Sequence, residues 1–274
     1  MIFNKKNVSI LIVSFNAENF ISNTVSSCLN QTYKNIEILI LDNASSDNTV
    51  KIIESMKDER IKLFKNSENI GPYGGLNFLL EKAEGEYIAI QDHDDIWFPE
   101  KIKKQVEFME KNSEFVACGT NNYNFYEKND VLILNKKPFA SAGKSYVPHS
   151  SLLFRNKNFR YDVTKTLADE YFEKKTLADY GKIFLIEEAL TIHRIRIDNV
   201  NFSQARLKLT VVNVREFFDI NGVSMKSFVY FASLVFLKVL SNEARIFFEF
   251  NVFKRKSEKI KLDDFRNRFK NIKI

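Results

Sequence analysis

Short apolar runs alternate with helical patterns over the first part of the chain. The apolar runs predict buried strands at residues 8–15, 36–41, 61–64 and 87–90. Apolar residues at helical spacing predict helices over residues 17–29, 49–56 and 76–83. Because strands and helices alternate, we expect an α/β fold with a mainly parallel sheet and helices on both of its faces.

Polar clusters follow three of these strands, at residues 16–18, 42–47 and 92–95. The carboxyl ends of parallel strands meet at one edge of an open α/β sheet, and ligands bind at that edge. This arrangement is typical of a nucleotide-binding half-domain. Neither glycine-rich phosphate motif, GxGxxG or GxxxxGK[ST], occurs in the chain, which argues against a dinucleotide dehydrogenase and against a P-loop ATPase.

Three carboxylates, Asp92, Asp94 and Asp95, come directly after the last of these strands. Like charges this close repel one another unless something compensates them. A hard divalent cation such as Mg²⁺ or Mn²⁺, which prefers oxygen ligands, is the usual compensation. The other reading is a solvated acidic turn in which Asp95 caps the next helix, and this stretch alone does not decide between them.

The rest of the chain predicts a second group of elements. Strands are expected at residues 115–119, 150–154 and 181–186, and helices at 99–111 and from 167 onward. On the first of these helices we expect Lys101, Lys103 and Lys104 to form a solvated face. Residues 121–147 predict a hairpin and a loop, and from residue 202 the pattern is helical to the end.

These elements suggest three parts of the chain. We expect a nucleotide-binding half at about residues 1–98, a second half at about 99–200, and a helical C-terminal extension at 201–274.

Charge is distributed unevenly along the 274 residues. The net charge of +6 resides entirely in residues 254–274, and the remainder of the chain is neutral. The motif region carries no basic patch, so we expect no nucleic-acid partner. The basic C-terminal arm suits an anionic membrane surface, and a solvated charged tail explains it equally well.

Aromatic and aliphatic residues are concentrated at 228–237. This run is shorter than the approximately 20 apolar residues of a spanning helix. It suits a peripheral membrane contact, or packing against the body of the protein or a second subunit in a homodimer. Cys28 and Cys118 form neither a disulfide framework nor a metal motif. No secretory signal pattern is visible, so we expect a cytoplasmic protein, which a peripheral membrane contact would place at the inner face of the membrane.

Four fragments in order carry a resemblance to a known family: VSILIVSFNAENFI, ILILDNASSDNT, NIGPYGGLN and AIQDHDDIWFPEKI. Over about residues 8–200 the chain resembles family 2 glycosyltransferases. The resemblance implies the GT-A fold and transfer of a sugar, with inversion, from a UDP-, dTDP- or GDP-linked donor to a saccharide or lipid-linked acceptor. The QDHDDIW form is similar to members that build O-antigen or capsule, some of them rhamnosyltransferases.

The resemblance also implies a donor site. Asp42 matches the family's aspartate that accepts a hydrogen bond from the base, and Asp47 is either the second acid of that motif or a helix cap. Asp92-His93-Asp94 matches the DxD motif, with Asp94 as the main ligand of Mn²⁺ or Mg²⁺ and Asp92 on the metal or the ribose. The other implied donor-site residues are Ser14, Phe15, Asn16, Glu18, Asn69, Gly71, His93, Arg194 and Arg196.

Two departures from the family pattern concern the chemistry. Asp169 matches the catalytic base, but Ala168 replaces the acid that usually precedes it. Asp169 could equally be a first-turn acid favoured by the helix dipole, and Glu170 is a neighbouring competitor. Where the family often has Arg-x-His, this chain has Arg194-x-Arg196, which suits phosphate, and we expect the displaced His193 to be structural.

Two other functions are compatible with the same residues. A non-catalytic nucleotide-sugar-binding or scaffold protein would explain the departures from the family pattern. A sugar nucleotidyltransferase also combines a nucleotide-binding half with a carboxylate-bound metal, but the segment after the first strand lacks the glycine and lysine that such an enzyme needs there.

Overall fold

A computed structural model describes residues 7–135, 147–196, 211–225, 227–229, 231–232, 235 and 259–268 of the chain. Three sequence expectations therefore lie outside the described residues. They concern the loop within 121–147 at residues 136–146, half of the apolar run at 228–237, and the basic residues at 254–256.

Four parallel strands form one half of the sheet, as predicted. They are β1 (Val8–Ser14), β2 (Ile36–Asp42), β3 (Ile61–Lys65) and β4 (Tyr87–Asp92), in the order β4-β1-β2-β3. The helices between them are α1 (Ile21–Leu29), α2 (Thr49–Ser55) and α3 (Gly71–Lys82). Ser14 pairs with Asp42 and Val13 with Asp92, so the polar strand ends do lie at one edge.

Both faces of this half-sheet are covered by apolar side chains. One face of β1 packs through Ile10 and Ile12 against α1, and the other packs through Leu11 against α3. Strands buried on both faces read as continuous apolar runs rather than as alternating ones. This is why the strands were visible in the sequence.

Helix α3 begins at Gly71, five residues before the predicted start. Pro72 lies in its first turn, where a missing N–H costs no helical hydrogen bond. Gly75 lets this helix approach β1, because a Cβ added there would lie 2.7 Å from a Val13 methyl carbon. The helix predicted at residues 76–83 was therefore too short at its N-terminal end.

The second half continues the same sheet with antiparallel and parallel strands. They are β5 (Ile96–Trp97), β6 (Phe115–Tyr126), β7 (Val131–Asn135), β8 (Leu153–Arg155) and β9 (Lys182–Ile195). Helix α4 (Lys101–Lys111) follows β5, and α5 (Ala168–Tyr171) continues into a π-helical turn (Phe172–Leu177). Ile96 of β5 pairs with Ile192 of β9, which brings the end of β9 beside the acidic turn.

The C-terminal region is not helical throughout. Helix α6 (Val211–Asn221) agrees with the prediction, but β10 (Lys259–Lys261) pairs antiparallel with β7, and α7 (Leu262–Arg268) follows it. Leu262 and Phe265 are buried in a cluster with Phe98 and Tyr123. The prediction of continuous helix to the end of the chain was therefore wrong at β10, because the backbone of this strand pairs with the edge of β7. The domain division at residue 200 stays a prediction.

Among the helices within the described ranges, none is long and apolar enough to cross a membrane.

Lys101 corrects a second expectation, that it lies on a solvated face of α4. It is fully buried, and its Nζ lies 3.8 Å from the centroid of the Trp97 ring and donates to Gln105 Oε1 at 2.7 Å. Burial lowers the pKa of Lys101 to about 7. Lys103, in contrast, is half exposed. The buried face of α4 therefore includes Lys101, the first residue of the helix, together with Ile102.

We expect Lys101→Met to stabilise the protein by about 1–4 kcal/mol near pH 6, as found when buried charges are replaced by apolar groups. The native pKa is below that of an unfolded lysine, so the unfolded chain binds more protons between about pH 7 and 10. The free energy of unfolding of the wild type therefore rises across that window, and the advantage of the variant shrinks. Urea unfolding at pH 6 and pH 9.5 measures both effects, and a gain equal to that of Lys103→Met at both pH values would contradict the prediction.

Candidate active site

The acidic turn after β4 is held by contacts with the end of β9. The Asp95 side chain is fully buried, and its Oδ1 accepts a hydrogen bond from the Arg194 backbone N–H at 3.0 Å. Its Oδ2 lies 3.0 Å from His193 Nδ1 and also accepts from the Ser150 hydroxyl. Asp95 precedes the short strand β5 and does not cap a helix, so the reading of a solvated acidic turn was wrong.

His193 and Asp95 form an ion pair. Burial alone would lower the pKa of His193, but the Asp95 carboxylate raises it to about 9. In return, the pair lowers the pKa of Asp95 against the opposing effect of burial. Because the contact engages Nδ1, Nε2 is the ring nitrogen left to face a ligand, and the side chain is 36% exposed.

Asp92 lies in an excess of negative charge. Burial, and then the charges of Asp95 and Asp94, raise the pKa of Asp92 to about 8. Ligand atoms of Asp92, Asp95 and His193 all lie within 4.8 Å of one another. A divalent cation fits this oxygen and nitrogen set and would relieve the repulsion.

The roles within this group differ. Both oxygens of Asp95 already accept hydrogen bonds, so it suits the position behind a metal-bound histidine, where a carboxylate orients the ring. Asp92 and His193 are the members better placed to contact a cation directly. The sequence pointed to His193 only as a displaced family histidine, and the pairing of β5 with β9 is what carries it to the acidic turn.

Asp94, the main metal ligand expected from the sequence, lies at the edge of this group. It is 7% exposed, and its Oδ2 is 3.7 Å from Arg196 Nη1. Its backbone carbonyl accepts from Arg194 Nε at 3.2 Å. Its role as a metal ligand stays a prediction.

The two arginines lie against the aromatic ring of Phe20. The guanidinium carbons of Arg194 and Arg196 lie 5.1 and 4.6 Å from the centroid of Phe20. Arg194 also pairs with Glu127 at 3.1 Å. Helix α1 starts only at Ile21, so Phe20 lies before the helix, where its ring reaches the arginines. Guanidinium groups held on a ring beside a candidate metal site suit a diphosphate.

The loops after β1 and β2 are tied together. The Asn16 N–H donates to Ser45 Oγ at 2.9 Å, and the Glu18 N–H donates to Asp47 Oδ2 at 3.0 Å. Glu18 in turn accepts from the Asn48 backbone N–H at 3.1 Å. Asp47 also accepts from Thr49 N at 3.0 Å at the start of α2. It lies one residue before the N-cap position, Asn48, and its role as the second acid of the donor motif stays a prediction.

Asp42 lies at the end of β2 and is 3% exposed. Its Oδ2 accepts from the Ser45 backbone N–H at 3.1 Å, whereas Oδ1 is buried and has no hydrogen-bond partner among the described residues. A buried acceptor without a partner costs free energy unless a ligand donates to it. Asp42 therefore has the acceptor that a nucleobase N–H needs.

The remaining donor-site candidates line the same edge. Asn43 donates to Asn69 Oδ1 at 2.8 Å and to the Gly71 carbonyl at 3.2 Å, which fixes the loop before α3. Gly71 has φ +77°, a conformation that favours glycine. Phe15 is 42% exposed beside buried Ser14. The ring of His93 contacts the end of β1, with Nδ1 3.3 Å from the Val13 carbonyl oxygen.

Asp169 lies in the first turn of α5 and is half-buried. Its charge adds to the effect of burial in raising the pKa of Glu173, and it contributes to raising the pKa of Asp92. The neighbouring Glu170 is buried in an ion pair with Lys174 at 3.0 Å. Of the two adjacent acids, Asp169 is therefore the one whose field reaches the acidic turn.

Comparisons with known proteins agree with this geometry. Residues 9–176 match the family model for glycosyl transferase family 2. The chain is 44% identical over 126 residues to the UDP-Glc:alpha-D-GlcNAc-diphosphoundecaprenol beta-1,3-glucosyltransferase WfaP of Escherichia coli, covering 46% of this chain and 49% of that protein. The chain thus spans about half the length of the first curated relatives it matches. A glycosyltransferase of Methanocaldococcus jannaschii is 30% identical over 205 residues, with 69% of this chain and 70% of that protein covered.

Solved structures show the fold. The complex of Staphylococcus aureus TarS 1–349 with UDP-GlcNAc superposes with a TM-score of 0.61 at 17% identity, covering 88% of this chain and 72% of that chain. The mannosyltransferase PcManGT of Pyrobaculum calidifontis, in complex with GDP-Man and Mn²⁺, gives 0.62 at 14% identity with the same coverage. The predicted GT-A fold is confirmed, and the chain belongs to glycosyl transferase family 2.

Proposed function

We propose that this protein is an inverting, metal-dependent glycosyltransferase that builds a bacterial surface polysaccharide such as O-antigen or capsule. The observation that carries the proposal is the group of Asp92, Asp95 and His193 at the ligand-binding edge of the sheet. Its excess negative charge suits a cation, and a cation there suits the diphosphate of a nucleotide-sugar.

Each part of the donor has a candidate partner. The buried Oδ1 of Asp42 accepts the base N–H, and Phe15 and Asn16 border the base and ribose. Asp92, Asp94 and His193 hold Mn²⁺ or Mg²⁺, with Asp95 behind the imidazole. Arg194 and Arg196, held on the Phe20 ring, neutralise the phosphates.

Asp169 is the proposed general base. It takes the proton of the acceptor hydroxyl as that oxygen attacks the anomeric carbon, and the bond from this carbon to the diphosphate oxygen breaks on the opposite face. The configuration at the anomeric carbon inverts, and the nucleoside diphosphate leaves with the bonding electron pair. A bound divalent cation would stabilise the charge on the leaving group.

The relatives narrow the substrates. WfaP is a UDP-Glc-dependent enzyme whose acceptor is a diphosphoundecaprenol-linked GlcNAc. We extend this to a UDP-hexose donor and a lipid-linked saccharide acceptor, which favours a hexosyltransferase over a rhamnosyltransferase. A lipid-linked acceptor calls for peripheral contact with the cytoplasmic face of the membrane, which the apolar C-terminal residues would make. The alternative role of these residues is to form the interface of a homodimer.

Nucleotide binding tests the donor site. We expect UDP to raise the melting temperature more than dTDP or GDP, and only with Mn²⁺ or Mg²⁺ present, because the cation links the diphosphate to Asp92. In Asp42→Asn the amide presents a donor as well as an acceptor, so the UDP shift falls by at least about half. Melting curves with each nucleotide, with and without metal, measure this. No shift with any nucleotide would overturn the donor site.

The scaffold alternative predicts binding without chemistry. We expect slow hydrolysis of UDP-glucose by the wild type, which a non-catalytic nucleotide-sugar-binding protein would not show. The absence of both hydrolysis and transfer, together with a normal UDP shift, would favour the scaffold.

A further inference from the structure

A capped helical hairpin projects apolar side chains into solvent. Helix α6 ends at Asn221. The next residue is Gly222, whose φ is +73° and whose N–H donates to the Phe218 carbonyl at 2.8 Å. The next helical segment is capped by reciprocal bonds, from Ser224 N to Ser227 Oγ at 2.8 Å and from Ser227 N to Ser224 Oγ at 3.1 Å. We call the described residues between 222 and 229 the hairpin tip.

Four large apolar side chains of the hairpin tip are exposed. The exposed fractions are 79% for Val223, 79% for Met225, 52% for Phe228 and 61% for Val229. Because both helix ends around the tip are capped, these side chains lie on ordered backbone. Phe228 packs on Phe218 in a tilted arrangement with ring centroids 4.7 Å apart, which holds the tip against α6. A cluster of exposed apolar residues of this kind marks an interaction surface.

A pocket that we call the cationic pocket is lined by residues of α6 and by residues in and around α5. It is a cavity of about 410 Å³ to which Lys165, Lys175 and Arg215 contribute. Two acids, Glu216 and Asp219, also line it. Glu216 is already committed, since its Oε1 accepts from the backbone N–H groups of Thr166 at 2.8 Å and Leu167 at 3.2 Å.

The other ion pairs around the cationic pocket are weak. Arg215 and Asp219 are 3.9 Å apart and 83% and 70% exposed. Lys165 and Asp162 are also 3.9 Å apart. Exposed pairs this long contribute little free energy, so the cations exchange these partners easily for phosphate.

The hairpin tip and the cationic pocket are close in the fold. Arg215 precedes Gly222 by seven positions on α6, which is about 10 Å along a helix. Apolar side chains flanked by cations match the two layers of an anionic lipid surface, acyl chains below and phosphates above. We propose that the hairpin tip inserts into an anionic lipid bilayer while Lys165, Lys175 and Arg215 receive lipid phosphates.

This inference rests on the proposed function, because docking of this kind would bring the reaction to a lipid-linked acceptor. Leu167 at the start of α5 packs with Phe217 and Ile220 of α6. Asp169 follows Leu167 by two residues, so the helix that bears the proposed base is carried directly on the docked hairpin.

Fluorescent labelling tests the orientation. Cys28 and Cys118 are fully buried, so an added surface cysteine in the full-length chain reacts selectively with an environment-sensitive dye. On vesicles of equimolar phosphatidylglycerol and phosphatidylcholine, we expect dye on Met225→Cys to shift to the blue and brighten at least about twofold. Dye on Lys103→Cys, on the exposed face of α4, should not change. An unchanged signal at Met225→Cys overturns the proposal, even if the protein sediments with the vesicles through its basic C-terminal arm.

Substitutions test the two layers separately. We expect the double variant Met225→Asp, Val229→Asp to weaken vesicle binding at least tenfold. The double variant Lys175→Gln, Arg215→Gln should weaken binding to the anionic vesicles but leave the residual binding to pure phosphatidylcholine unchanged. Tyr180→Asp, at an exposed aromatic outside the tip, is the control. Equal loss in all three overturns the proposal, and so does conversion of a dimer to a monomer by the tip variant without loss of vesicle binding.

The rise in melting temperature caused by UDP with Mn²⁺, measured on the same proteins, distinguishes failure of the proposed function from failure of the docking surface. If the wild type shows no UDP shift, the proposed function fails whatever the vesicles show. If the UDP shift is normal and the tip variants bind vesicles like the wild type, only the docking surface fails.

Discussion

We expect Asp169→Asn to lower the rate of sugar transfer by about 10²–10⁴-fold, the usual contribution of a positioned general base, and to leave UDP binding at the wild-type level. Asparagine keeps the shape of the side chain but cannot accept the acceptor proton near neutral pH. Asp169 is also the acid whose charge adds to those that raise the pKa of Glu173 and Asp92. Transfer from UDP-glucose to a GlcNAc-diphospho-lipid acceptor measures the rate.

Glu170→Gln is the matched control for this experiment. Glu170 is adjacent in sequence, but it is buried in the pair with Lys174. Breaking that pair leaves a buried cation uncompensated, so we expect a lower melting temperature with the rate per folded molecule retained. The reverse pattern, with the rate lost in Glu170→Gln and retained in Asp169→Asn, would assign the base to Glu170.

We expect His193→Gln to raise the Mn²⁺ concentration needed for the UDP-induced melting shift by at least about 10–100-fold, the range for loss of a residue that only supports a metal ligand. The glutamine cannot supply the imidazole nitrogen that Asp95 orients. Asp95 also loses the positive charge of His193, which lowers its pKa. The negative charge around Asp92 is then less well compensated. Titration of Mn²⁺ at saturating UDP measures the effect without requiring turnover.

Asp94→Asn provides the comparison for His193→Gln. Asp94 is the main ligand expected from the sequence, whereas the structure places its Oδ2 3.7 Å from Arg196. We expect both variants to raise the Mn²⁺ requirement. An unchanged requirement in His193→Gln with a large increase in Asp94→Asn would return His193 to the structural role that the sequence suggested.

Several features of this protein follow from local sequence alone. The strands β1, β2 and β4 are continuous apolar runs because both of their faces are buried, and such runs are legible without a structure. The polar residues at their ends must share an edge, because parallel strands all point the same way. The nucleotide-binding half, its carboxylates and the family were therefore predictable.

Other features depend on contacts between residues far apart in the chain. His193 and Asp95 are separated by nearly a hundred positions, and only the pairing of β5 with β9 brings them within 3.0 Å. Phe20 and Lys101 both lie in segments whose residue pattern predicts a helix. The pattern does not decide whether either side chain meets a ligand, the core or solvent, because a shift of one position turns a side chain to another face of the helix. Strand β10 exists because the edge of β7 is available to it.

The sequence by itself determined which chemical groups this protein has, in what order, and on which edge of the sheet they stand. Only the tertiary structure decided which of those groups touch. It made Asp95 the support of a histidine rather than a helix cap, and it left Oδ1 of Asp42 buried without a hydrogen-bond partner among the described residues. The physical reason is that hydrogen-bond geometry and charge coupling act over a few ångströms in space, whereas periodicity in sequence reports only the environment of each residue along its own strand or helix.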